Sequence, residues 1–142
     1  MGNADRFLDL LNFMAVLVLS VAFHEAAHAW LADRFGDDTP RTHGRMTLNP
    51  FAHVHPIMTI ALPAYFYWTM GGWLFMATTP VRPSRMRRPR LHWLLTSLGG
   101  PAASLLLGIA CFVCMVVFVA AGGAEGRALD LFRLAVALNV FG

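Results

Sequence analysis

Two histidines and a glutamate lie within five residues of one another, in the order His24-Glu25-Ala26-Ala27-His28. On an α-helix, residues four apart leave the same face about 6 Å apart along the axis, so both imidazole rings can reach one ion. That spacing suits Zn²⁺, with the two rings as ligands and the glutamate as the base that takes a proton from an activated water. The sequence therefore predicts His24 and His28 as metal ligands, Zn²⁺ as the cofactor and Glu25 as the catalytic residue.

The surroundings of this pattern separate it from a chance match. It ends a hydrophobic run from about Leu10 to Leu31, which at 1.5 Å per residue can cross a hydrocarbon core of about 30 Å. Titratable side chains are costly at such a depth, and they are kept there mainly for function. If Leu10 marks the entry, His24 lies about 21 Å along the helix, so we expect the site inside the membrane and near the side that the next loop faces.

The composition is that of a membrane protein. Of the 142 residues 57% are hydrophobic and 13% are charged, which lies outside the usual range for soluble domains. All basic residues are arginine, and the five between Arg82 and Arg90 form a topology signal that gives no reason to expect a nucleic-acid partner. Cys111 and Cys114 lie in an apolar run without further ligands nearby, so we interpret them as packing residues.

Three more hydrophobic segments follow the first. Ile57 to Thr78 is long enough to span, but Pro63 and Gly71-Gly72 interrupt it, so it either spans or folds back as a re-entrant hairpin. The segment from Leu91 to Ala121 is too long for one perpendicular span. The last, Ala128 to Gly142, is too short to span.

The long third segment has a natural point of division. Gly99-Gly100-Pro101 predicts a break, because proline fits the first position of a helix, and Pro101 to Ala121 would then cross the membrane. A turn is expected at Gly122 to Arg127. We therefore predict an all-α polytopic membrane protein with about three to four transmembrane or re-entrant helical segments.

The loop after the first helix, Gly36 to Pro56, places turn residues around Arg45 to Leu48, which could pair as a short β-strand. With this loop included, the chain resembles the site-2 protease family of intramembrane zinc metalloproteases, in its compact prokaryotic form. The matching motifs follow the family's order: His24 to His28, Gly36-Asp37, Gly44 to Pro50, His53 to Pro56, Thr79 to Pro83, and Gly99 to Ser104. Each motif is weak alone, but together they are specific and cover most of the chain.

The resemblance implies a single membrane-embedded metalloprotease-like domain over residues 1–142, with several spans in the cell membrane and its site near the cytosolic face. It implies an endopeptidase that cleaves transmembrane segments of substrate proteins, which would be unwound and could add as a strand along Arg45 to Leu48. The lipid bilayer is the other expected partner, and the oligomeric state is left open. If the first loop is cytosolic and Ile57 to Thr78 spans the membrane, the arginine loop lies on the side opposite the cytosol, against the positive-inside rule. We therefore favour the hairpin.

Two histidines do not complete a catalytic zinc site, which has three protein ligands. In the family that the chain resembles, the third is an aspartate of a Leu-Asp-Gly motif on a later helix, and Leu138 to Gly142 looks like the approach to it. We interpret the domain as C-terminally incomplete and expect weak zinc binding with little or no proteolysis. The substitutes available in the first loop are Asp37, Asp38, His43, His53 and His55. Ordinary turn and loop roles are favoured for the first three.

Ser104, Asn139 and His53 are the candidates for binding substrate or stabilising the oxyanion. Ser104 stands where the family commonly has asparagine, to which that role is attributed, and its hydroxyl is shorter and offers one donor. His55 likewise stands where the family commonly has aspartate. These departures and the absent ligand leave a second interpretation open, a non-catalytic protease-like membrane scaffold that binds transmembrane segments. Metal transport ranks behind both.

Overall fold

The computed structural model describes residues 3–70, 79–123 and 126–141, which are built from helices and the turns between them. Helix α1 is Asn3–Arg34, α2 is Thr39–Thr42, α3 is Leu62–Met70, α4 is Pro89–Ala120 and α5 is Arg127–Phe141. Single 3₁₀ turns occupy Pro50–Ala52 and Pro83–Arg85, and a π-helical turn at Pro56–Ala61 leads into α3. The prediction of an all-α fold is confirmed for the described residues.

Among the helices that the structure describes, two, α1 and α4, are long and apolar enough to cross a membrane by length and composition. Each has 32 residues, or about 48 Å of helix. Helix α1 ends at Arg34. Gly36, two residues later, has a φ of 106° in the left-handed region, and the Asp37 N–H donates back to the carbonyl of Ala32 at 2.9 Å. Much of the surface of α4 is large apolar side chains left exposed by the rest of the chain, as suits a helix in lipid.

Helix α4 continues through Gly99-Gly100-Pro101, so the predicted break and the predicted helix start at Pro101 are wrong. Pro89 occupies the first turn instead, where the absence of an N–H costs nothing. Pro101 does remove one helical hydrogen bond, but a helix in apolar surroundings tolerates this where a neighbouring helix supports it. A Cβ on Gly99 would overlap the side chain of Leu31 on α1. The glycines therefore allow close helix packing and do not reverse the chain.

The three long helices form a bundle. Helix α4 runs antiparallel to α1, because Thr96 and Ser104 of α4 lie beside His28 and His24 of α1. Helix α5 runs parallel to α1 and is tied to it near its end by a hydrogen bond from Asn139 Nδ2 to Ser20 Oγ at 2.8 Å. The apolar core lies between these helices and consists of Phe13, Leu17, Val21 and Leu138.

Two loops meet at the C-terminal end of α1. The Arg87 N–H donates to the carbonyl of Phe35 at 3.0 Å, and the Arg82 N–H donates to Oδ2 of Asp37 at 2.5 Å. Asp37 is fully buried, and its Oδ1 accepts from the N–H of Thr39 at 3.1 Å, as in the turn role predicted for it. An ion pair of 2.6 Å between Arg85 and Asp38 closes the junction. The loop after α1 and the arginine loop are therefore on the same end of the bundle.

The described residues between these loops contact α1 at two different depths. Tyr67 of α3 stacks on Phe13 with ring centroids 5.1 Å apart, which is 12 residues or about 18 Å down α1 from Glu25. At Thr79 the chain is back at the level of Glu25, with which it forms a hydrogen bond. The predicted interruption at Gly71-Gly72 lies outside the described residues.

The strand predicted for Arg45 to Leu48 does not form, and no strand is present in the described parts of the chain. The backbone here is occupied locally: the Arg45 N–H donates to the carbonyl of Pro40 at 2.8 Å, and the carbonyl of Thr47 accepts from Nε2 of His53 at 2.8 Å. A strand needs a partner strand beside it, and none of the described segments supplies one. The β-containing loop of the sequence analysis is therefore corrected to a series of bends.

Candidate metal centre

His24 and His28 present one nitrogen each to a common point. Both lie on one face of α1, and their Nε2 atoms are 3.1 Å apart, with ring planes inclined at 72°. Two nitrogens bound to one tetrahedral zinc at 2.0–2.1 Å lie about 3.3 Å from each other. The described geometry therefore fits a metal shared by the two Nε2 atoms.

The outer nitrogen of each ring has a partner on α4. Nδ1 of His28 donates to the main-chain carbonyl of Thr96 at 2.6 Å, and Nδ1 of His24 lies 2.9 Å from the hydroxyl of Ser104. A histidine that binds metal through one nitrogen usually makes such a contact with the other, which fixes the orientation of the ring. Helix α4 thus orients both rings through contacts with their Nδ1 atoms.

Gly100 makes this approach of the two helices possible. A Cβ at this position would overlap Nε2 of His28 and Nε2 of His24, and would lie 2.6 Å from Cδ2 of His24. Gly100 is midway between Thr96 and Ser104 at spacings of four residues, so the three positions form one stripe along α4. Gly100 at the centre of the stripe leaves room for both rings, and Thr96 and Ser104 at its ends form hydrogen bonds with them.

Glu25 lies in the same cleft as the two rings and is only 5% exposed. Its Oε2 accepts a hydrogen bond of 2.5 Å from the hydroxyl of Thr79, which also lies 3.3 Å from the Glu25 carbonyl. The cleft encloses about 420 Å³, enough for water beside the carboxylate. It is lined by His24, Glu25, His28, Thr79, Val81, Trp93, Thr96 and Ser97. The arrangement can therefore bring a carboxylate, a water and a metal together away from the apolar surface.

Comparison with known proteins decides the family. The family model "Peptidase family M50" matches residues 12–139, most of the chain, including the histidine pair and the stripe on α4. The chain belongs to the M50 family, the site-2 proteases. The resemblance seen in the sequence motifs is thus confirmed.

Several curated relatives are similar in sequence to this M50 chain. The candidate zinc metalloprotease YwhC of Bacillus subtilis is 36% identical over 146 residues, which cover 96% of this chain and 64% of that protein. The candidate zinc metalloprotease Rip2 of Mycolicibacterium smegmatis is 35% identical over 98 residues, or 65% of this chain and 35% of that protein. A Rip2 of Mycobacterium tuberculosis is 35% identical over 92 residues. The chain thus spans 64% and 35% of the lengths of the first two relatives, and no solved structure gives a significant match.

Asn139 and His53, the other predicted site residues of this M50 chain, form hydrogen bonds with residues outside the histidine pair. Asn139 is buried and bonds to Ser20 and to the carbonyl of Ala135, each at 2.8 Å. His53 is 2% exposed and donates from Nε2 to the carbonyl of Thr47, so it supports the bend in the first loop. Asn139 Oδ1 and His53 Nδ1 are buried without a hydrogen-bond partner in the described structure, and the substrate or oxyanion roles of both residues stay predictions.

The remaining loop histidines have local partners as well. Nδ1 of His43 donates to the carbonyl of Thr39 at 2.8 Å, and Nδ1 of His55 accepts from the N–H of Met58 at 3.4 Å. In residues 3–70, 79–123 and 126–141 no group of three or more His, Cys, Asp or Glu side chains is placed to hold a metal. The histidine pair is thus joined by no third ligand from the described residues.

Sequence reasoning missed three contributions to this site. Thr79 was noted only as part of a motif, the carbonyl of Thr96 was not considered, and Gly100 was interpreted as part of a helix break. A signal for two of them was present, because residues 96, 100 and 104 are each four apart and share one helical face. Thr79 had no such signal, since its contact with Glu25 joins residues 54 apart in the sequence.

Proposed function

We propose that this chain forms the catalytic zinc-binding core of an intramembrane metalloendopeptidase, with His24 and His28 as ligands and Glu25 as the catalytic residue. The observation that carries the proposal is the 3.1 Å approach of the two Nε2 atoms beside a buried carboxylate, within a helix able to span a membrane. Membership of the M50 family supports the same reaction class. Residues 1–142 act in this proposal as one membrane-embedded domain.

His24 and His28 would hold the zinc, which when bound would supply Lewis-acid activation of water near neutral pH. Glu25 would accept a proton from water in the cleft and pass it to the nitrogen of the leaving amine. Thr79 holds one oxygen of Glu25, so the other is left to face the water in the cleft. Hydrolysis within the membrane depends on this polar cleft, because the surrounding lipid offers neither water nor a proton acceptor.

An apolar groove next to the site suits an unwound segment of a membrane protein. It encloses about 380 Å³ and lies between α1, the bends at Met46 to Leu48, and Ala103 of α4. Its α1 wall is formed by Phe23, Ala26, Ala27 and Trp30. Within the described part of the chain, the main-chain N–H groups of Met46 and Leu48 make no hydrogen bond. We infer that an extended substrate binds here through its backbone, even though the segment forms no strand by itself.

The meeting of the two loops supports the favoured topology. Tyr67 lies deep along α1 and Thr79 is back at the level of Glu25, as expected for a re-entrant hairpin in the region from Ile57 to Thr78. The arginine loop and the first loop then share the cytosolic side, in agreement with the positive-inside rule. We propose a multi-pass protein in the cell membrane with its site near the cytosolic face.

Zinc content and cleavage of a quenched fluorescent transmembrane peptide, measured in lipid nanodiscs, test this function. We expect zinc in the wild-type protein and in Glu25→Gln, which keeps both imidazoles, but a loss of cleavage of at least about 100-fold in that variant. The His24→Ala/His28→Ala double variant should lose both properties. Cleavage that persists in Glu25→Gln would refute the catalytic assignment. Zinc binding without any cleavage by the wild type would favour the scaffold interpretation.

A carboxylate outside the cleft provides the matched control. Asp33 lies near the end of α1 and accepts hydrogen bonds of 2.9 and 2.5 Å from Arg41, which raise the pKa of that guanidinium. Asp33→Asn makes the same chemical change as Glu25→Gln, eight residues further along the same helix. It should leave zinc content and cleavage unchanged.

A further inference from the structure

Ser104 contacts His24 on the side of the ring away from the metal position. Its hydroxyl is 2.9 Å from Nδ1, whereas Nε2 of the same ring faces His28. We propose that Ser104 is a positioning residue, which holds the His24 ring with Nε2 toward the metal and does not bind substrate or the oxyanion. This inference rests on the zinc site of the proposed function.

The hydrogen-bond partner of His28 differs in kind from that of His24. A main-chain carbonyl only accepts, so the 2.6 Å contact with Thr96 requires the proton of His28 to be on Nδ1, which leaves its Nε2 free as a ligand. No side-chain substitution removes that carbonyl. The orientation of His28 is therefore determined by the backbone of α4, whereas that of His24 depends on a single side chain.

A hydroxyl suits His24 because it can both accept and donate. When metal occupies Nε2, the ring carries its proton on Nδ1 and donates to Ser104. When metal is removed, the proton of His24 can move to Nε2. Nε2 of His24 then donates to the unprotonated Nε2 of His28 across 3.1 Å, and the Ser104 hydroxyl donates to Nδ1 of His24. The ring carries one proton in each case: when metal binds, the Nε2 proton leaves to solvent and Nδ1 takes one up, and removal of the metal reverses both transfers.

The first test measures zinc affinity by competition with a chromophoric chelator, on the full chain in lipid nanodiscs. Ser104→Ala should weaken zinc binding by about 10- to 100-fold, the usual cost of removing such a supporting contact. Ser104→Thr keeps the hydroxyl and should retain most of the affinity, whereas Ser104→Val has the same shape without it and should match Ser104→Ala. Equal affinities in the Thr and Val variants would overturn the proposal.

Ser20→Ala is the matched control for the loss of a buried serine. Its hydroxyl accepts from Asn139 between α1 and α5 and lies one helical turn before His24. The substitution weakens helix packing without removing a contact to either ring. Zinc affinity should stay at the wild-type value, so a loss equal to that of Ser104→Ala would assign both effects to general packing and overturn the positioning role.

The second test does not depend on zinc binding. Nitrogen NMR of the histidine rings, recorded after chelation of metal and above the pH range in which imidazole protonates, reports which nitrogen carries the proton. We expect the proton of His24 on Nε2 in the wild type, a mixture of both forms in Ser104→Val, and His28 protonated on Nδ1 in both proteins. An unchanged His24 spectrum in Ser104→Val overturns the inference. A wild type that binds no zinc refutes the proposed function alone, because the NMR result still decides the role of Ser104.

Discussion

Thr79 fixes the carboxylate of Glu25 through one hydrogen bond, and its contribution can be measured in the rate of cleavage. The contact of 2.5 Å engages Oε2 of Glu25, a residue that lines the cleft. Thr79→Val keeps the shape of the side chain and removes the donor. Since hydrogen bonds to charged groups contribute about 1.5–3 kcal/mol, we expect turnover of the transmembrane peptide to fall by about 10-fold or more, with zinc affinity unchanged.

Two further variants decide whether this loss comes from the hydroxyl. Thr79→Ser keeps the donor and should retain most of the turnover. Thr69→Val removes a hydroxyl that donates within α3 to the carbonyl of Tyr65 at 2.8 Å, and it should have no effect on turnover. If Thr79→Val turns over peptide as fast as the wild type, Thr79 does not position Glu25.

At the level of single residues, the sequence predicted the candidate metal ligands, because their arrangement depends only on local spacing along one helix. His24 and His28 come together because four residues make about one helical turn, which can be inferred without the fold. Thr79 and Ser104 contact partners 54 and 80 residues away, so their positions depend on how helices pack. For that reason, only the family motif indicated Ser104 as a site residue. The contact that the structure describes is between its hydroxyl and Nδ1 of His24.

Gly100 tests how the packing of α1 against α4 determines the site. Alanine is preferred to glycine within helices by about 1 kcal/mol, so helix propensity alone favours Gly100→Ala. The added Cβ would, however, overlap Nε2 of both histidines. We expect Gly100→Ala to lower the thermal unfolding midpoint and to reduce zinc affinity by at least about 10-fold, because the rings must rotate away from their partners on α4.

Gly108→Ala is the control on the same helix. A Cβ there would lie 2.9 Å from Cγ2 of Val140 and 3.3 Å from Cβ of Asn139, so it strains the contact between α4 and α5. It should lower the unfolding midpoint as Gly100→Ala does but leave zinc affinity unchanged. Equal loss of zinc in both variants would show that the site responds to general helix packing and not to the space at Gly100.

At the level of elements, hydropathy predicted where helices lie but not where they stop. The run from Leu91 to Ala121 was correctly assigned as helical, whereas the break at Gly99-Gly100-Pro101 was wrong because contact with α1 favours glycine at those positions. The strand at Arg45 to Leu48 was wrong for a related reason. Alternating residues indicate a strand only if a partner is present, and the described fold places none beside them.

For the whole molecule, the contacts around the end of α1 determine which loops share a side. Arg82, Arg85 and Arg87 each contact the segment from Phe35 to Asp38, so the two loops cannot lie on opposite faces of a membrane that α1 crosses. Hydropathy alone leaves this choice open, because a hydrophobic segment of this length can either span or fold back, and the arginine loop favours the hairpin through the positive-inside rule. Contacts between the loops, which no local pattern encodes, add independent support for it.

Cysteine labelling in oriented vesicles measures this topology directly. After replacement of Cys111 and Cys114 by alanine, single cysteines at Arg41 and at Arg87 report the two loops, both of which expose their side chains. We expect an impermeant thiol reagent to label both from the same face, because Arg87 and Phe35 share a main-chain hydrogen bond of 3.0 Å. A third cysteine at Gly122, in the turn after α4, should be labelled from the opposite face and controls for leaky vesicles. Labelling of Arg41→Cys and Arg87→Cys from opposite faces would require Ile57 to Thr78 to span, and would contradict both the proposed hairpin and the proposed position of the two loops on one side of the membrane.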